Sequence, residues 1–464
     1  MNWRQFLPPI KSIATILLAL LVIYLLAGGI FIFMTYRPGG SYNDEVSVSR
    51  FLGTGTGVDK ALVVEERLDS ALARINLIEG AEKSIDLAYY AVHDGLSSDL
   101  FYAVLIEAAD RGVEVRLLFD GVFHNLKGKG KRTLSALLAH PNISLRFYEP
   151  LNLLVPWSVN NRLHDKVVII DDTYALIGGR NIGDKYFLEP YGGSLVEDRD
   201  VLIVNTTRTL ESESVLTSFA RYYEELWESP YSKEKRAHSS EKGETERLLT
   251  RLSAARTLHP ERFMDPVDWE AWALPTAKVS LITNPITRLN KEPHVLSEVM
   301  ATKVWATSTV EMQSPYIIPS ALMRPYWTST GDGVTLAYLT NSGASSPNYF
   351  AQGGYLKHRK RILEESDRLY EYHGKGSIHA KSYIFDSRLS MVGSFNLDAR
   401  SSFLSTESMV VIDSKPLADA LKEKMDLLAS VSVVNSPSQY SGPWYKRALV
   451  AVSRILLYPF DGLL

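Results

Sequence analysis

The chain has 464 residues, 45% of them hydrophobic and 22% charged, with a formal net charge of −3. That length holds two or three domains or one large duplicated one, with an ordinary globular composition. The slightly acidic balance argues against a general nucleic-acid binder, which would be strongly basic, and the lack of cysteine excludes disulfides, thiolate catalysis and cysteine metal sites.

Residues 13–35 carry no charge. As a helix at ~1.5 Å per residue this run extends about 34 Å, enough for a hydrocarbon core of ~30 Å. Lys11 and Arg37 bracket it, and Trp3 and Tyr36 fall near the expected interfaces. A cleaved signal peptide has a shorter apolar core of ~7–15 residues. Residues 1–37 are therefore expected to be an uncleaved, single-pass anchor in the cell membrane. Arg4 and Lys11 before the span balance Arg37 and Arg50 after it. The short leader is expected to stay inside and the large following domain to lie outside the cytoplasm. The sequence Pro38-Gly39-Gly40-Ser41 breaks the helix and opens a linker over 38–58.

An α/β pattern follows. Residues 67–80 predict a helix with Leu68, Leu72 and Ile75 or Leu77 on one face. Then come a strand at 84–92, a helix at 97–111, a strand at 112–120, a short helix at 131–139 and a strand at 143–148. The polar, mixed-charge stretch 229–247 reads as linker or solvated helix. The pattern then recurs, with strands at 309–313 and 333–340, a helix at 355–366 and a strand at 368–372. Gly112 and Gly333 are separated by 221 residues, and His164 and His379 by 215. A nearly constant offset with the same element order implies duplication. The expected fold is α/β: two similar lobes, 59–245 and 246–435, each a mixed sheet flanked by helices, related by a pseudo-two-fold axis. The tail, 436–464, contains an apolar stretch from 444 to 458 with Lys446, Arg447 and Arg454 and aromatic ends. It reads as an amphipathic interfacial helix on anionic lipid, the alternative being a helix packed on the domain.

One pattern appears in both halves: His-x-Lys, four residues, Asp, six residues, then Gly-[Gly/Ser]-x-Asn. It places His164, Lys166, Asp171 and Asn181 in the first copy, and His379, Lys381, Asp386 and Asn396 in the second. His and Lys, two apart at a strand start, share a face. If both copies hold one phosphodiester, one imidazole can attack phosphorus while the other protonates the departing alcohol and then deprotonates the incoming hydroxyl. Lys166 and Lys381 supply charge to the non-bridging oxygens, and Asn181 and Asn396 add neutral donors. This chemistry requires no metal or other cofactor. A single His-x-Lys is usually surface decoration, but two full copies at identical offsets are not readily a coincidence.

The paired motifs, with Gly178-Gly179-Arg180-Asn181-Ile182-Gly183-Asp184-Lys185-Tyr186-Phe187 and Ser394-Phe395-Asn396-Leu397-Asp398-Ala399-Arg400-Ser401, resemble the phospholipase D superfamily and, within it, the short C-type branch of bacterial cardiolipin synthases. The resemblance covers about residues 60–430. It implies a bilobal fold, one composite site and a phospho-histidine intermediate, with His164 as nucleophile and His379 as acid/base. It also implies that each motif Asp supports its lobe and that a later acid orients an imidazole. Glu407 fits that role in the second half. Glu197, Asp198 and Asp200 compete in the first, and Asp200, leading a strand, is chosen. Ala399 and Ser405 depart from common family residues, and Gly179 replaces the more general Ser.

The expected activity is transfer of a phosphatidyl group to a phosphatidylglycerol-type acceptor, giving cardiolipin. The expected partners are phospholipids (phosphatidylglycerol, with phosphatidylethanolamine or cardiolipin as other candidates) and the membrane, not nucleic acid. Hydrolysis of phospholipid is the alternative, nucleic acid being a poorer substrate. A non-catalytic lipid binder fits badly with two intact His/Lys pairs.

Overall fold

The computed structural model describes residues 10–35, 37, 42, 46–188, 195–210, 213–236, 241–263, 267–437, 444–456 and 462–463. Trp3, Arg4, Tyr36, the helix break at 38–41, Tyr458 and the side chains of Lys11, Lys446 and Arg454 lie outside the described residues.

The strands of the first half are β1 (Asp59–Val64), β2 (Ser84–Tyr89), β3 (Glu114–Asp120), β4 (Ile143–Tyr148), β5 (Lys166–Ile170), β6 (Tyr174–Gly178), β7 (Val196–Glu197), β8 (Asp200–Asn205) and β9 (Ser232–Lys235). Those of the second are β10 (Leu274–Pro275), β11 (Lys278–Thr283), β12 (Thr309–Gln313), β13 (Thr335–Asn341), β14 (Arg368–Tyr372), β15 (Ser377–Ile378), β16 (Ser382–Phe385), β17 (Leu389–Gly393), β18 (Ser408–Asp413) and β19 (Ser432–Val434). One sheet runs β10-β1-β8-β6-β5-β2-β3-β4-β9 and the other β11-β18-β17-β16-β12-β13-β14-β19. Apart from β10, the two orders match strand for strand. In both, a parallel set (β2-β3-β4, β12-β13-β14) meets an antiparallel set at the strand carrying the motif lysine or following it.

The motif strands are buried on both faces, hence their near-continuous apolar runs. In β5, Val168 and Ile170 join the core formed with the helices Arg67–Glu79 and Leu96–Asp110. Val167 and Ile169 point the other way, into a core shared by the two lobes. Ile384, Val392, Val410 and Ile412 of the second sheet enter the same shared core, with the helices Leu216–Glu228 and Lys415–Ser430. At ~1.5–3 kcal/mol for each fully buried aliphatic side chain, this core holds the two sheets face to face and thereby brings together the strand ends that carry the motifs.

Three stretches differ from the sequence reading. Within 229–247, Ser232–Lys235 is β9, paired antiparallel with β4. The helix Lys242–Leu258 straddles the expected lobe boundary at 245/246, yet Leu248 and Leu252 are buried in the first-lobe core. Its spacing is helical, but its high charge masks which residues face inward. The expected linker 38–58 contains a 3-10 turn, Val48–Phe51, whose Val48 and Phe51 are buried in the second-lobe core beside Phe33.

Ser12–Thr35 is one helix long and apolar enough to cross a membrane, interrupted by a π-helical turn at Ala27–Phe31. The C-terminal helix Trp444–Leu456 exposes Trp444, Tyr445, Leu449 and Val452 and buries Val450.

Candidate active site

His164 lies just before β5, which Lys166 opens, and His379 and Lys381 lie between β15 and β16. Two short junctions join the lobes at these places. β7 pairs in parallel with β15, Ser377 opposite Val196 and Ile378 opposite Glu197. A parallel bridge joins Leu163 to Thr406. Each junction ends one residue before a histidine on one side and one residue before a carboxylate on the other. The two pairs are therefore crossed between lobes. His164 Nδ1 sits 2.9 and 3.1 Å from the Glu407 carboxylate oxygens, and His379 Nδ1 sits 2.6 Å from Asp198 Oδ2. Glu407 thus serves the first-motif histidine, not the one in its own half.

Asp200 is not the carboxylate on His379. Its Oδ2 accepts from Ser70 Oγ at 2.6 Å and from the buried guanidiniums of Arg74 at 3.1 Å and Arg180 at 3.0 Å. It neutralises two arginines inside the first lobe, a place where an uncompensated charge would be costly. Strand register gives the reason. Asp200 pairs with Gly178 as Met409 pairs with Gly393, so Asp198 corresponds to Glu407. Aligning Val201-Leu202-Ile203 with Val410-Val411-Ile412 shows the same correspondence in the sequence. The Gly179 departure follows from it. A Cβ at 179 would lie 2.2 Å from Asp198 Oδ1, whereas Ser394, at the equivalent place, donates its hydroxyl to Glu407.

Asp171 and Asp386 lie at the far ends of the motif strands and touch neither histidine. Asp171 accepts the backbone N–H groups of Glu82, Lys83 and Ser84 at 2.7 to 2.8 Å. Asp386 does the same for Thr307, Ser308 and Thr309 at 2.8 to 3.0 Å. Both have φ of 52°, a left-handed conformation that Asp tolerates in a turn. They are turn-forming residues that tie the far end of each motif strand to the residues entering β2 and β12, and they take no part in the chemistry at the histidines.

Lys166 Nζ donates to the His164 carbonyl and Lys381 Nζ to the His379 carbonyl. The aromatic walls are Tyr90, edge-on to His164 with centroids 4.9 Å apart, and Tyr186, edge-on to His379 at 5.9 Å. Asn181 Nδ2 donates to the Tyr186 hydroxyl at 3.1 Å and Asn396 Nδ2 to Ser401 Oγ at 3.3 Å, leaving each amide a second N–H. Behind His164, Thr406 donates to the buried Asp165 and accepts the His164 backbone N–H at 3.2 Å. The sequence assigns no role to Tyr90, Asp165 or Thr406, because none stands at one of the fixed His, Lys, Asp, Gly or Asn positions of the repeated pattern.

Burial governs the titration of the site. It lowers His379 to about 4, helped by the positive charge of Lys381, and takes His164 well below its usual value, helped by Lys166 and Lys381. It lowers Lys166 to about 7 and Lys381 to about 8, and raises Glu407 to about 7. Burial also works against Asp198 ionisation, but His379 and Lys381 outweigh it and hold the carboxyl below the usual range. Burial thus penalises charge of either sign in the site. A phosphodiester monoanion between the two lysines would favour their ammonium forms and an imidazolium. Among the described residues no group of three or more His, Asp or Glu forms a metal-ligand set.

The family described as "Cardiolipin synthase, PLD-like domain" matches residues 75–227 and 304–428, together more than half of the chain. Cardiolipin synthase C of Escherichia coli (strain K12) is 29% identical over 430 residues, covering 83% of this chain and 85% of that protein. A cardiolipin synthase of Halalkalibacterium halodurans is 26% identical over 387 residues, covering 81% and 67%. The crystal structure of phosphatidylserine synthase from Haemophilus influenzae Rd KW20 superposes with a TM-score of 0.65 at 14% identity, covering 91% of this chain and all of that one, which shows the shared fold. With two crossed histidine–carboxylate pairs in one cleft of a duplicated fold, the chain belongs to the cardiolipin synthase, PLD-like domain family and is a phosphatidyltransferase-type enzyme of the phospholipase D superfamily.

Proposed function

We propose that the protein is a membrane-anchored cardiolipin synthase acting through a phospho-histidine. The observation carrying this reading is the crossed pairing itself, since each imidazole has Nδ1 held by a buried carboxylate, leaving Nε2 for substrate. His164 Nε2 attacks the phosphorus of a phosphatidyl donor. The phosphorus–oxygen bond to the headgroup breaks, and protonated His379 gives its proton to the departing alcohol oxygen. His379, now neutral, takes the proton of a phosphatidylglycerol hydroxyl as that oxygen attacks phosphorus and His164 departs. Lys166 and Lys381 stabilise the charge on the non-bridging oxygens in both steps, with Asn181 and Asn396 as neutral donors. Asp198 and Glu407 are positioning residues.

The apolar helix supports the membrane part of the reading. Only 11% of its most apolar window is buried by protein, and such a surface is stable in lipid, not in water. The helix is a single-pass anchor with the lobes on the extracytoplasmic side, and the exposed aromatic end of Trp444–Leu456 is a second contact with the interface. The test is the purified full chain in liposomes of phosphatidylglycerol and phosphatidylethanolamine, with products identified by mass spectrometry. Cardiolipin is expected. Phosphatidic acid without cardiolipin would make the enzyme a hydrolase.

A further inference from the structure

Residues 150–161, between β4 and the first motif, contain no charged side chain. Leu151, Leu153 and Leu154 at the tip are 60%, 56% and 80% exposed. Three neighbouring exposed leucines on an uncharged loop are unusual on a surface facing water. This loop does not project at random but lies along the apolar helix. The Tyr24 hydroxyl donates to the Leu154 carbonyl at 2.7 Å, and Asn160 Nδ2 donates to the Gly29 carbonyl at 2.6 Å. A Cβ at Gly28 would come within 2.6 Å of Pro156 Cγ, so a glycine is needed for the loop to approach this closely. The helix is fastened to the second lobe as well, through Asn290 Nδ2 to the Phe33 carbonyl at 2.9 Å.

We propose that the 150–159 loop is a membrane wedge, its leucines embedded among the acyl chains of the leaflet nearest the lobes, so that loop and anchor form one lipid-facing surface. The depth follows from the helix. Tyr24 is eleven residues before Thr35, roughly 16 Å along a helical axis. A loop bonded at Tyr24 therefore lies inside the apolar layer if the helix spans it. Irregular backbone at such depth must have its polar groups satisfied, and in this loop several are. The Leu154 carbonyl has Tyr24, the Leu154 N–H has Asn152 Oδ1 at 2.9 Å, and the Val155 carbonyl accepts from Ser158 Oγ at 2.7 Å.

The wedge also runs into the site. Arg162, two residues before His164, donates to the Ser158 and Glu149 carbonyls at 2.8 Å each. Asn160, while bonded to the helix, accepts from Arg400 at 3.4 Å. The proposal rests on the membrane-anchored reading and adds to it that both lipids reach the histidines laterally from the leaflet, without crossing water.

The natural absence of cysteine makes a direct test available. Leu154→Cys, Leu18→Cys on the apolar helix and Leu258→Cys, exposed elsewhere, are each labelled with an environment-sensitive fluorophore. The full chain is reconstituted into phosphatidylcholine–phosphatidylglycerol vesicles containing lipid with a nitroxide on the acyl chain. Quenching at 154 comparable to that at 18, and absent at 258, is expected. A label at 154 as unquenched as that at 258 overturns the wedge. If 18 is quenched in that case, the anchor stands without the wedge, and if 18 is unquenched too, the anchor reading falls with it. As a second measurement, the double variant Leu153→Glu/Leu154→Glu should lose about tenfold or more of its turnover on vesicles, from two unfavourable insertions. On monomeric short-chain lipid it should keep its turnover. Equal turnover of variant and parent on vesicles overturns the proposal.

Discussion

Replacing Asp198 and Asp200 separately by Asn separates a positioning carboxylate from a structural one two residues away. Asp198→Asn removes the ionic acceptor of the His379 Nδ1 proton at 2.6 Å. A hydrogen bond involving a charged group contributes roughly 1.5–3 kcal/mol. Lost from the transition state alone, that is ~10–150-fold in kcat. The fold should tolerate the change, since the buried amide retains hydrogen-bonding capacity and a desolvated charge disappears. Asp200→Asn instead leaves the Arg74 and Arg180 guanidiniums, 2% and 1% exposed, without their shared counter-charge. Breaking a buried pair in this way costs about 3–5 kcal/mol, a drop of several degrees in Tm. Measuring kcat on phosphatidylglycerol vesicles and Tm on the same preparations gives opposite signatures, with kcat reduced and Tm held for Asp198→Asn, and Tm reduced for Asp200→Asn. A folded Asp200→Asn variant without turnover, beside an Asp198→Asn variant at full rate, would refute the crossed-pair assignment.

Three further outcomes are expected. With a p-nitrophenyl phosphatidyl ester, whose leaving group needs no proton, His379→Ala should release p-nitrophenolate once per enzyme and accumulate the phospho-enzyme, detectable by intact-mass spectrometry, while His164→Ala releases none; a burst from His164→Ala instead would reverse the roles. In kcat/KM against pH, burial of the imidazoles keeps the nucleophile neutral below its ordinary ~6.5, His379 at about 4 gives up the acid's proton first, and the amines at about 7 and about 8 then lose charge as pH rises, steepening the decline. Activity should therefore decline through that basic window and Lys166→Arg should extend it upward, whereas a profile flat to the ordinary lysine value of ~10.4 would contradict this. Burial opposes Asp386 ionisation, but the donors of Thr307, Ser308 and Thr309 outweigh it and hold the carboxyl at about 2. Its stabilisation is present above the unfolded value near ~3.9 and vanishes as pH falls through the folded one. Asp386→Ala should thus lower Tm at neutral pH, with the loss shrinking in acid, while the kcat of the folded variant stays within about twofold of the parent; a catalytic defect without a Tm change would restore Asp386 to the chemistry.

Much of the molecule was legible in one dimension. The paired His-x-Lys motifs, their constant offset and the uncharged run at 13–35 are local patterns, and each corresponds to a local physical requirement: a strand end, a repeated lobe, a helix of bilayer length. The pairing of groups from different lobes was not legible. The resemblance gives Glu407 the orienting role in the second half, the half of His379, yet the parallel bridge between Leu163 and Thr406 delivers it to His164. Asp200 leads a strand, which marks it out in the sequence, and that place inside the first lobe is why it faces Arg74 and Arg180. The alignment of β8 with β18 held the information that identifies Asp198, but its meaning depended on knowing which strands are equivalent. Residue type and spacing determined that two imidazoles and two ammonium groups would be available for a phosphodiester. Which carboxylate holds which imidazole, and how an uncharged loop lies against the apolar helix, were decided by packing across the lobe interface, where hydrogen bonds and buried charges join residues far apart in the chain.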